Sequence, residues 1–461
     1  MQTKIKDYIY SHKDEMLSTL SELISIPSVK GEPLPDAPFG AEPKKALDKM
    51  ISICNGMGFP TACCQNVVGS ADYNTNGGDA ALGILCHLDV VPCPPENWAT
   101  DPYTMTEKDG VLYGRGVIDD KGPAVAALYA IKCVKELGIP LSKGVRLIFG
   151  TDEENGSSDM EIYMKNEKLP SNVFTPDGSF PVINVEKGMM RSSFSGKYEG
   201  GSVRLFNGGS IPNAVPDSAF AEVEGISLSE IKDAVAADKG GAVFTAEDIG
   251  GAVRITAAGR SAHASTPEAG INAVTALISL LNRLPLSEGK QKDILRGLDS
   301  IFPFGETDGS SVGLKAQDKT GATTLVFSIF HIENGECKGT VDVRFPTCLD
   351  LDTVECKERE ALNSAGCSFD GFMGDEPHCV DEDSDFVQAL LRVYERIEGE
   401  KGRCIAIGGG TYVHHVEGGV AFGVERGDTD YHMHGADEFI TVDELLKDAV
   451  LFANAIVEIC R

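Results

Sequence analysis

An alternation of short apolar runs with helix-like patterns over the first 190 residues most constrains the fold. The strand-like runs are "ALGILCHLDVVP" (81–92), "VRLIFG" (145–150) and "VFTPDG" (173–178), and the helical patterns cover about 4–25, 43–58 and 121–138. Strands that are separated by helices predict a mostly parallel, mixed sheet with helices on both faces, which is an α/β fold.

The pattern changes in the middle of the chain. Strand-like stretches at 251–263 and 338–346 flank a helical pattern at 270–284, which indicates an α+β unit. From about 377 the α/β pattern returns. We therefore expect one α/β domain formed by residues 1–187 and 377–461, interrupted by an inserted α+β domain at 188–376.

Composition excludes several classes of protein. The 461 residues are 42% hydrophobic and carry a formal net charge of −29, which disfavours nucleic acid and anionic membranes as partners. The 13 cysteines are odd in number and scattered, as in a reduced protein. The N-terminal stretch lacks the apolar core of a signal peptide, and no apolar run approaches the roughly 18 residues of a membrane span. We expect a cytoplasmic protein.

Three acids, Asp152, Glu153 and Glu154, stand side by side in "GTDEENGSSD", directly after a strand-like run. Adjacent carboxylates repel one another, so a folded chain needs a positive charge to hold them together. The end of a strand is also where open α/β sheets place their ligands.

Residues that can bind metal recur at the predicted strand ends. They are His87, Asp89, Asp119, Asp120, Glu153, Glu154, Asp177, His432 and His434. Taken singly, each is more typical of a structural or exposed residue; together, imidazoles and carboxylates suit a pair of divalent ions such as Zn²⁺ or Mn²⁺. Paired metals are a hydrolytic device. The other histidines at 12, 331 and 378 have no such context.

The order of motifs resembles a known family. The motifs are "HLDVVP", "GRGVIDDKGP", "DEENGS", "PDGSFP", "GRSAHAS", "DVRFP", "GGGTY" and "HMHGADEF". In this order they resemble the PepV/Sapep-type dipeptidases of the di-metal aminoacylase and carboxypeptidase clan, over nearly the whole chain. The resemblance implies a di-metal exopeptidase fold with an inserted lid domain.

The resemblance implies a role for each acid and histidine near the first metal. His87 would bind this metal, and Asp89, expected on the same strand face, would orient the imidazole. Asp119 would bridge both ions, and its peptide bond to Asp120 would be cis.

The remaining ligands follow from the same motifs. Asp177 would bind the first metal and Glu154 the second. His434 is expected as the last ligand rather than His432, because the family's histidine precedes acids at the third and fourth following positions. The two histidines are expected on one strand face.

Glu153 would be the general base, which takes a proton from the attacking water and delivers one to the leaving amine. On an extended backbone it would point away from its neighbour Glu154. Asp152 is expected to be a strand-end or solvated acid.

In the inserted domain, the resemblance implies that His263 stabilises the oxyanion, with Asn213 as its neighbour. Arg344 would bind the substrate's terminal carboxylate, and a structural salt bridge is the alternative. The large insertion implies a monomer whose hinges lie near residues 188 and 376.

One departure from the family's motifs concerns substrate selection. Many relatives read "GGGTYAR", whereas this chain reads "GGGTYVHH", with His414 in the place of the arginine. The run Gly408–Gly410 suits a close approach of backbone to a ligand. His414 and His415 are either pocket residues or loop histidines.

The sequence therefore predicts a metal-dependent dipeptidase, a metallopeptidase acting on short peptides with a free carboxylate. An N-acyl-amino-acid amidohydrolase or deacetylase on the same scaffold is the alternative. A non-catalytic relic is disfavoured, because the ligands and Glu153 are all present.

Overall fold

A computed structural model describes residues 1–75, 79–238, 240–427 and 429–461. The α-helices of these residues, α1 to α11 in chain order, are Gln2–Ser11, Lys13–Ile24, Ala41–Gly56, Lys121–Glu136, Ser158–Asn166, Leu228–Ala237, Ala273–Asn282, Lys290–Ile301, Leu351–Ser364, Asp385–Glu398 and Val442–Cys460. Their strands, β1 to β22, are Thr61–Cys64, Val68–Tyr73, Ala80–His87, Thr106–Lys108, Val111–Tyr113, Gly144–Gly150, Asn172–Thr175, Val182–Glu186, Gly188–Lys197, Val203–Gly208, Ser218–Val223, Val243–Asp248, Val253–Ala258, Gln317–Asp318, Gly321–Ala322, Thr324–Glu333, Glu336–Phe345, Ser368–Asp375, His378–Cys379, Cys404–Ile407, Val420–Ala421 and Phe439–Thr441.

These elements form two compact units. The first comprises Met1–Val185, Cys379–Ile405 and Gly410–Arg461, and the second comprises Glu186–His378 and Ala406–Gly409. The short segment Ala406–Gly409 was expected with the first unit. It groups with the second because its carbonyl oxygens accept hydrogen bonds from Lys187 and Arg344.

The first unit is built on a mixed sheet whose strands run in the order β1-β2-β6-β3-β7-β21-β8. The central strands β6, β3 and β7 are parallel, and β2 pairs antiparallel with β6. Strands β3 and β6 are almost completely buried, which explains why they read as continuous apolar runs.

Helices cover both faces of this sheet. Ile84 and Leu147 pack into a core shared with α1 to α4, α10 and α11, whereas their neighbours Leu85 and Ile148 pack against α5 and the turn near Tyr412. Successive side chains of a strand point to opposite faces, so the two cores lie on opposite sides of the sheet. The expected fold class is confirmed.

The first helical pattern is interrupted. Where one helix was expected at about 4–25, α1 ends at Ser11 and α2 begins at Lys13. His12 lies between them, and its Nδ1 lies 2.8 Å from the Tyr8 carbonyl oxygen.

The second unit contains an eight-stranded sheet in the order β12-β13-β11-β10-β16-β17-β9-β18, with antiparallel pairing throughout. Its core is separate from those of the first unit and includes the apolar sides of α7 and α8. All 13 cysteines of the chain are free. Among the described residues, no helix is both long and apolar enough to span a membrane.

A buried acid makes the second unit sensitive to pH. Glu358 on α9 is completely buried and accepts a hydrogen bond from the Ser192 hydroxyl group. Burial raises the pKa of Glu358 to about 8, and Asp342 and Glu355 act in the same direction. Between the ordinary carboxyl pKa and about 8 the native state holds a proton that the unfolded chain releases, so stability falls as pH rises across this range.

We predict that Glu358→Gln removes this dependence. Relative to wild type, the variant should gain stability as pH rises from about 5.5 to about 8.5, by at most about 1.4 kcal/mol per pH unit. Urea unfolding at several pH values measures this change. Glu360→Gln, at an exposed acid of the same helix, is the control and should follow wild type. Parallel pH profiles for wild type and Glu358→Gln would contradict the prediction.

Candidate active site

The candidate site lies in the first unit, where three parallel strands end. His87 is the last residue of β3, which lies between β6 and β7. Glu153 follows the end of β6 by three residues, and Asp177 follows the end of β7 by two. Because the carboxyl ends of parallel strands meet at one edge of a sheet, these residues are brought together.

Asp119 lies at the centre of this group. It precedes α4, and its peptide bond to Asp120 is cis, as expected. One carboxylate oxygen, Oδ1, lies 3.0 Å from Nε2 of His87, and the other, Oδ2, lies 2.9 Å from Nε2 of His434. The two oxygens of one side chain thus face two different histidines.

Two groups of potential metal ligands share Asp119. The first is His87, Asp119 and Asp177, and the second is Asp119, Glu154 and His434; within each group the ligand atoms lie within 4.8 Å of one another. Nε2 of His87 lies 3.7 Å from Oδ2 of Asp177, and Nε2 of His434 lies 3.1 Å from Oε2 of Glu154. The arrangement is that of two adjacent cation sites with one bridging carboxylate.

The chemistry of these donors fits bound cations. Nδ1 of His87 lies 3.0 Å from the carbonyl oxygen of Asp89, which can only accept, so Nδ1 carries the proton of a neutral ring. Nε2 then turns its lone pair towards carboxylate oxygens, and it is buried without a hydrogen-bond partner. Oε1 of Glu154 is likewise buried without a partner. A divalent cation between such atoms would stabilise them.

The pKa values show how strongly charge is concentrated here. Burial opposes ionisation of Asp119, yet the imidazoles of His434 and His87 lower its pKa. Hydrogen bonds to Asp119 and Glu154 raise the pKa of His434 to about 11. Burial raises the pKa of Glu154 and of Asp177, and the charge of Asp119 adds to both effects. The acids therefore require positive charge close by.

Asp89 was expected to share a strand face with His87. This expectation was wrong, because β3 ends at His87 and Asp89 lies beyond it. Its Oδ1 lies 3.5 Å from Nδ1 of His87. The same carboxylate accepts the backbone N–H groups of Glu153 and Glu154, at 3.2 and 3.1 Å. Asp89 therefore contacts the imidazole of His87 and also holds the segment that follows β6.

Glu153 and Glu154 do not lie on an extended backbone, contrary to expectation. Residues Glu153–Asn155 form a short 3₁₀ turn, because Asp89 draws both amide groups towards one carboxylate. Glu154 is in the second ligand group, and Glu153 stands beside it. Burial raises the pKa of Glu153 well above its usual range, and the charges of Asp177, Glu154 and Asp119 add to this.

Asp152 is buried, which excludes the expected alternative of a solvated acid. Its Oδ1 lies 2.6 Å from Nζ of Lys30, and the Ser158 hydroxyl group donates to its other oxygen. The ammonium group of Lys30 is therefore the counter-charge of Asp152.

The structure brings His434, and not His432, to the carboxylates. The two histidines lie in a turn rather than on a strand, because both have left-handed backbone conformations, with φ of 60° and 58°. The His432 ring instead packs edge-on against Phe439, with 5.7 Å between the ring centroids.

Sequence reasoning missed the residues that hold the loop before Asp119. The buried carboxylate of Glu438 accepts the backbone N–H groups of Gly116, Ile118 and Asp119 at 3.0 to 3.3 Å, and a hydrogen bond from Arg115 at 2.5 Å. Glu438 was noted only as an acid that follows His434. An acid at this position in "HGADE" gives no signal of its partners, which lie about 320 positions earlier in the chain.

The second unit pairs the segments that carry His263 and Asn213. The Ala264 amide donates to the Asn213 carbonyl oxygen at 2.9 Å. Nδ1 of His263 accepts the backbone N–H of Ser265 at 3.2 Å, so Nε2 carries the proton of the neutral ring. The ring can thus donate a hydrogen bond from Nε2.

Arg344 makes a two-pronged ion pair inside the second unit. Its Nε and Nη2 bind the two oxygens of Asp342 at 2.7 and 3.2 Å, and Nη1 donates to the carbonyl oxygen of Gly408 at 3.0 Å. This is the salt bridge that the sequence left open as an alternative. A substrate role for Arg344 stays a prediction.

The "GGGTY" motif also has a structural role. The Tyr412 hydroxyl group donates to Asp159 at 2.6 Å, and the same carboxylate oxygen accepts the amides of Thr151 and Asp152. Tyr412 therefore supports the end of β6. His414 and His415 follow in a short 3₁₀ turn with their rings in edge-to-face contact, 5.3 Å between centroids.

An α/β sheet whose strand ends carry two linked ligand groups and a further carboxylate defines a metal-dependent hydrolase. The model of Peptidase family M20/M25/M40 matches residues 83–458. The Beta-Ala-Xaa dipeptidase of Lactobacillus delbrueckii subsp. lactis is 33% identical over 478 residues, which cover 100% of this chain and 99% of that protein.

Solved structures share the fold. Human carnosine dipeptidase 1 has a TM-score of 0.61 at 18% identity, and the match covers 100% of this chain and 98% of that one. The M20 family metallo-carboxypeptidase Sso-CP2 from Sulfolobus solfataricus has a TM-score of 0.59 at 17% identity, covering 96% and 99%. The chain belongs to peptidase family M20/M25/M40 and is a metallopeptidase, which confirms the resemblance drawn from its motifs.

We predict that Glu438→Gln weakens metal binding although Glu438 is in neither ligand group. Loss of the charge should loosen the loop that presents Asp119, with a cost of about 10- to 100-fold in metal affinity. Competition with a chelator measures the affinity. Glu417→Gln, at an exposed acid of the same unit, should be neutral. Unchanged affinity in Glu438→Gln would show that the loop is held without this carboxylate.

Proposed function

We propose that this chain is a metal-dependent dipeptidase, which hydrolyses the amide bond of short peptides that carry a free carboxylate. The observation that carries the proposal is the pair of ligand groups joined by Asp119, with Glu153 beside them. Similarity to a Beta-Ala-Xaa dipeptidase over the whole chain supports the choice of substrate class.

Two divalent ions, Zn²⁺ or Mn²⁺, are the proposed cofactors. His87 and Asp177 would hold one ion, Glu154 and His434 the other, and Asp119 both. When bound, the ions supply positive charge and lower the pKa of water. Mixed imidazole and carboxylate donors suit either metal.

Glu153 is the proposed general base. Its place in the turn held by Asp89 sets it next to the ligand Glu154, within reach of the same group of carboxylates. There it would accept a proton from the attacking water and return one to the leaving amine nitrogen. Asp89 is the residue that would keep both His87 and Glu153 in position.

Residues of the second unit complete the proposal. His263 is the proposed donor to the oxyanion, and its protonated Nε2 supports this role. Asn213, whose backbone pairs with that segment, is the proposed neighbour on the substrate. Arg344 is the proposed receptor of the terminal carboxylate, although Asp342 occupies its fork in this structure.

We also propose that the protein acts as a monomer in the cytoplasm. One chain carries both groups of residues that the mechanism needs, and all 13 cysteines are free thiols, which suits a reducing compartment.

We predict that Glu153→Gln abolishes nearly all turnover while metal content stays unchanged. The amide cannot accept the proton, and loss of a general base typically costs about 10²- to 10⁴-fold. Turnover of a dipeptide and elemental analysis of the purified variant measure the two effects. Glu161→Gln, at an exposed acid of α5, is the control. Normal turnover in Glu153→Gln would exclude this residue as the base.

The proposed function is tested by metal reconstitution. After removal of metal with a chelator, Zn²⁺, Mn²⁺ or Co²⁺ is restored, and each form is offered dipeptides and the matching N-acetyl amino acids. We expect metal-dependent hydrolysis of the dipeptides. Hydrolysis of the acetylated compounds alone would instead assign the chain to the N-acyl-amino-acid amidohydrolases.

A further inference from the structure

Glu425 is held beside the candidate site by its backbone. The amides of Val424 and Glu425 both donate to the carbonyl oxygen of Gly178, at 2.9 and 3.0 Å, and Phe180 donates to the carbonyl oxygen of Glu425 at 3.0 Å. Gly178 directly follows the proposed ligand Asp177. These bonds fix Glu425 against the loop that carries this ligand.

The carboxylate of Glu425 faces the same charges as the ligands do. The side chain is half-buried, and the charges of Asp177 and Asp119 act on its carboxylate. Burial, with this repulsion, raises the pKa of Glu425 to about 6.

Glu425 also differs from other acids nearby in its partners. Within the described ranges, no lysine, arginine or histidine forms an ion pair with it. The adjacent Arg426 is engaged elsewhere, since its Nη2 lies 2.6 Å from Asp448 and 3.4 Å from Glu398. Asp152, in contrast, has Lys30.

A partly buried carboxylate at the edge of a substrate site suits a cationic group of the substrate. A dipeptide has one such group, the α-ammonium group next to the scissile amide. Cations bound at the ligand groups would repel this ammonium group, and a nearby carboxylate would offset that repulsion. An N-acylated amino acid has no charge there and gains nothing from such a residue.

We propose that Glu425 receives the free α-ammonium group of the dipeptide substrate and so selects peptides with a free amino terminus over N-acylated amino acids. This inference rests on the proposed function. It assigns to Glu425 the choice between the two substrate classes, a choice that the sequence left open.

The test compares two substrates that differ only in the amine, Ala-Ala and N-propionyl-alanine, on the metal-loaded full chain. A charged hydrogen bond is typically worth a factor of about 10 to 100. Glu425→Gln should therefore lose about 10- to 100-fold in kcat/KM for Ala-Ala, with no loss for N-propionyl-alanine. Glu425→Asp, which keeps the charge, should retain part of the preference, and Glu417→Gln should retain all of it.

The outcomes separate the two proposals. Unchanged hydrolysis of Ala-Ala by Glu425→Gln, or an equal loss on both substrates with metal content intact, would overturn the role of Glu425 alone. A wild-type chain that hydrolyses only N-propionyl-alanine, or neither compound with any restored metal, would overturn the proposed function and this inference with it. Metal loss in Glu425→Gln would also overturn the proposed role of Glu425, because it would place this residue among the groups that hold the ions.

Discussion

The structure depends on keeping many carboxylates together at one edge of a sheet. Like charges at such distances repel strongly in a partly desolvated site, and each acid needs donors or cations around it. Asp152 has Lys30, Glu438 has Arg115 and three backbone amides, and Asp89 has two backbone amides. For the acids of the two ligand groups, the basic neighbours that the structure shows are the imidazoles of His87 and His434. This difference in partners separates structural acids from proposed metal ligands.

Much of the first unit could be predicted from sequence. Strands β3 and β6 are buried on both faces, so apolar runs mark them directly, and the candidate ligands His87 and Glu154 lie at or soon after their ends. Only the family resemblance predicted that Asp119 pairs with both histidines, because Asp119 and His434 lie in loops outside these strands. The break between α1 and α2 at His12 could not be predicted from the sequence, because the helical spacing of apolar residues continues across it.

The local backbone geometry of the site could not be predicted from the sequence, for a definite reason. The turn at Glu153 and the support of the Asp119 loop depend on contacts between residues far apart in the chain, such as Asp89 with Glu154 and Glu438 with Ile118. The left-handed conformations of His432 and His434 have no marker, since neither residue is glycine. At Glu153 and Glu154, and at His432 and His434, a period-2 reading predicted an extended segment where the structure has a turn.

Asp89 connects the parts of the proposed mechanism. One carboxylate contacts the His87 ring and also holds the amides of Glu153 and Glu154, so the orientation of a ligand and the position of the base share one support. Because adjacent residues of a 3₁₀ turn project about 120° apart, fixing the two amides directs the two side chains differently. A ligand and a proton carrier can therefore be neighbours in sequence. The cluster of acids after β6 is thus explained by three different environments within three residues.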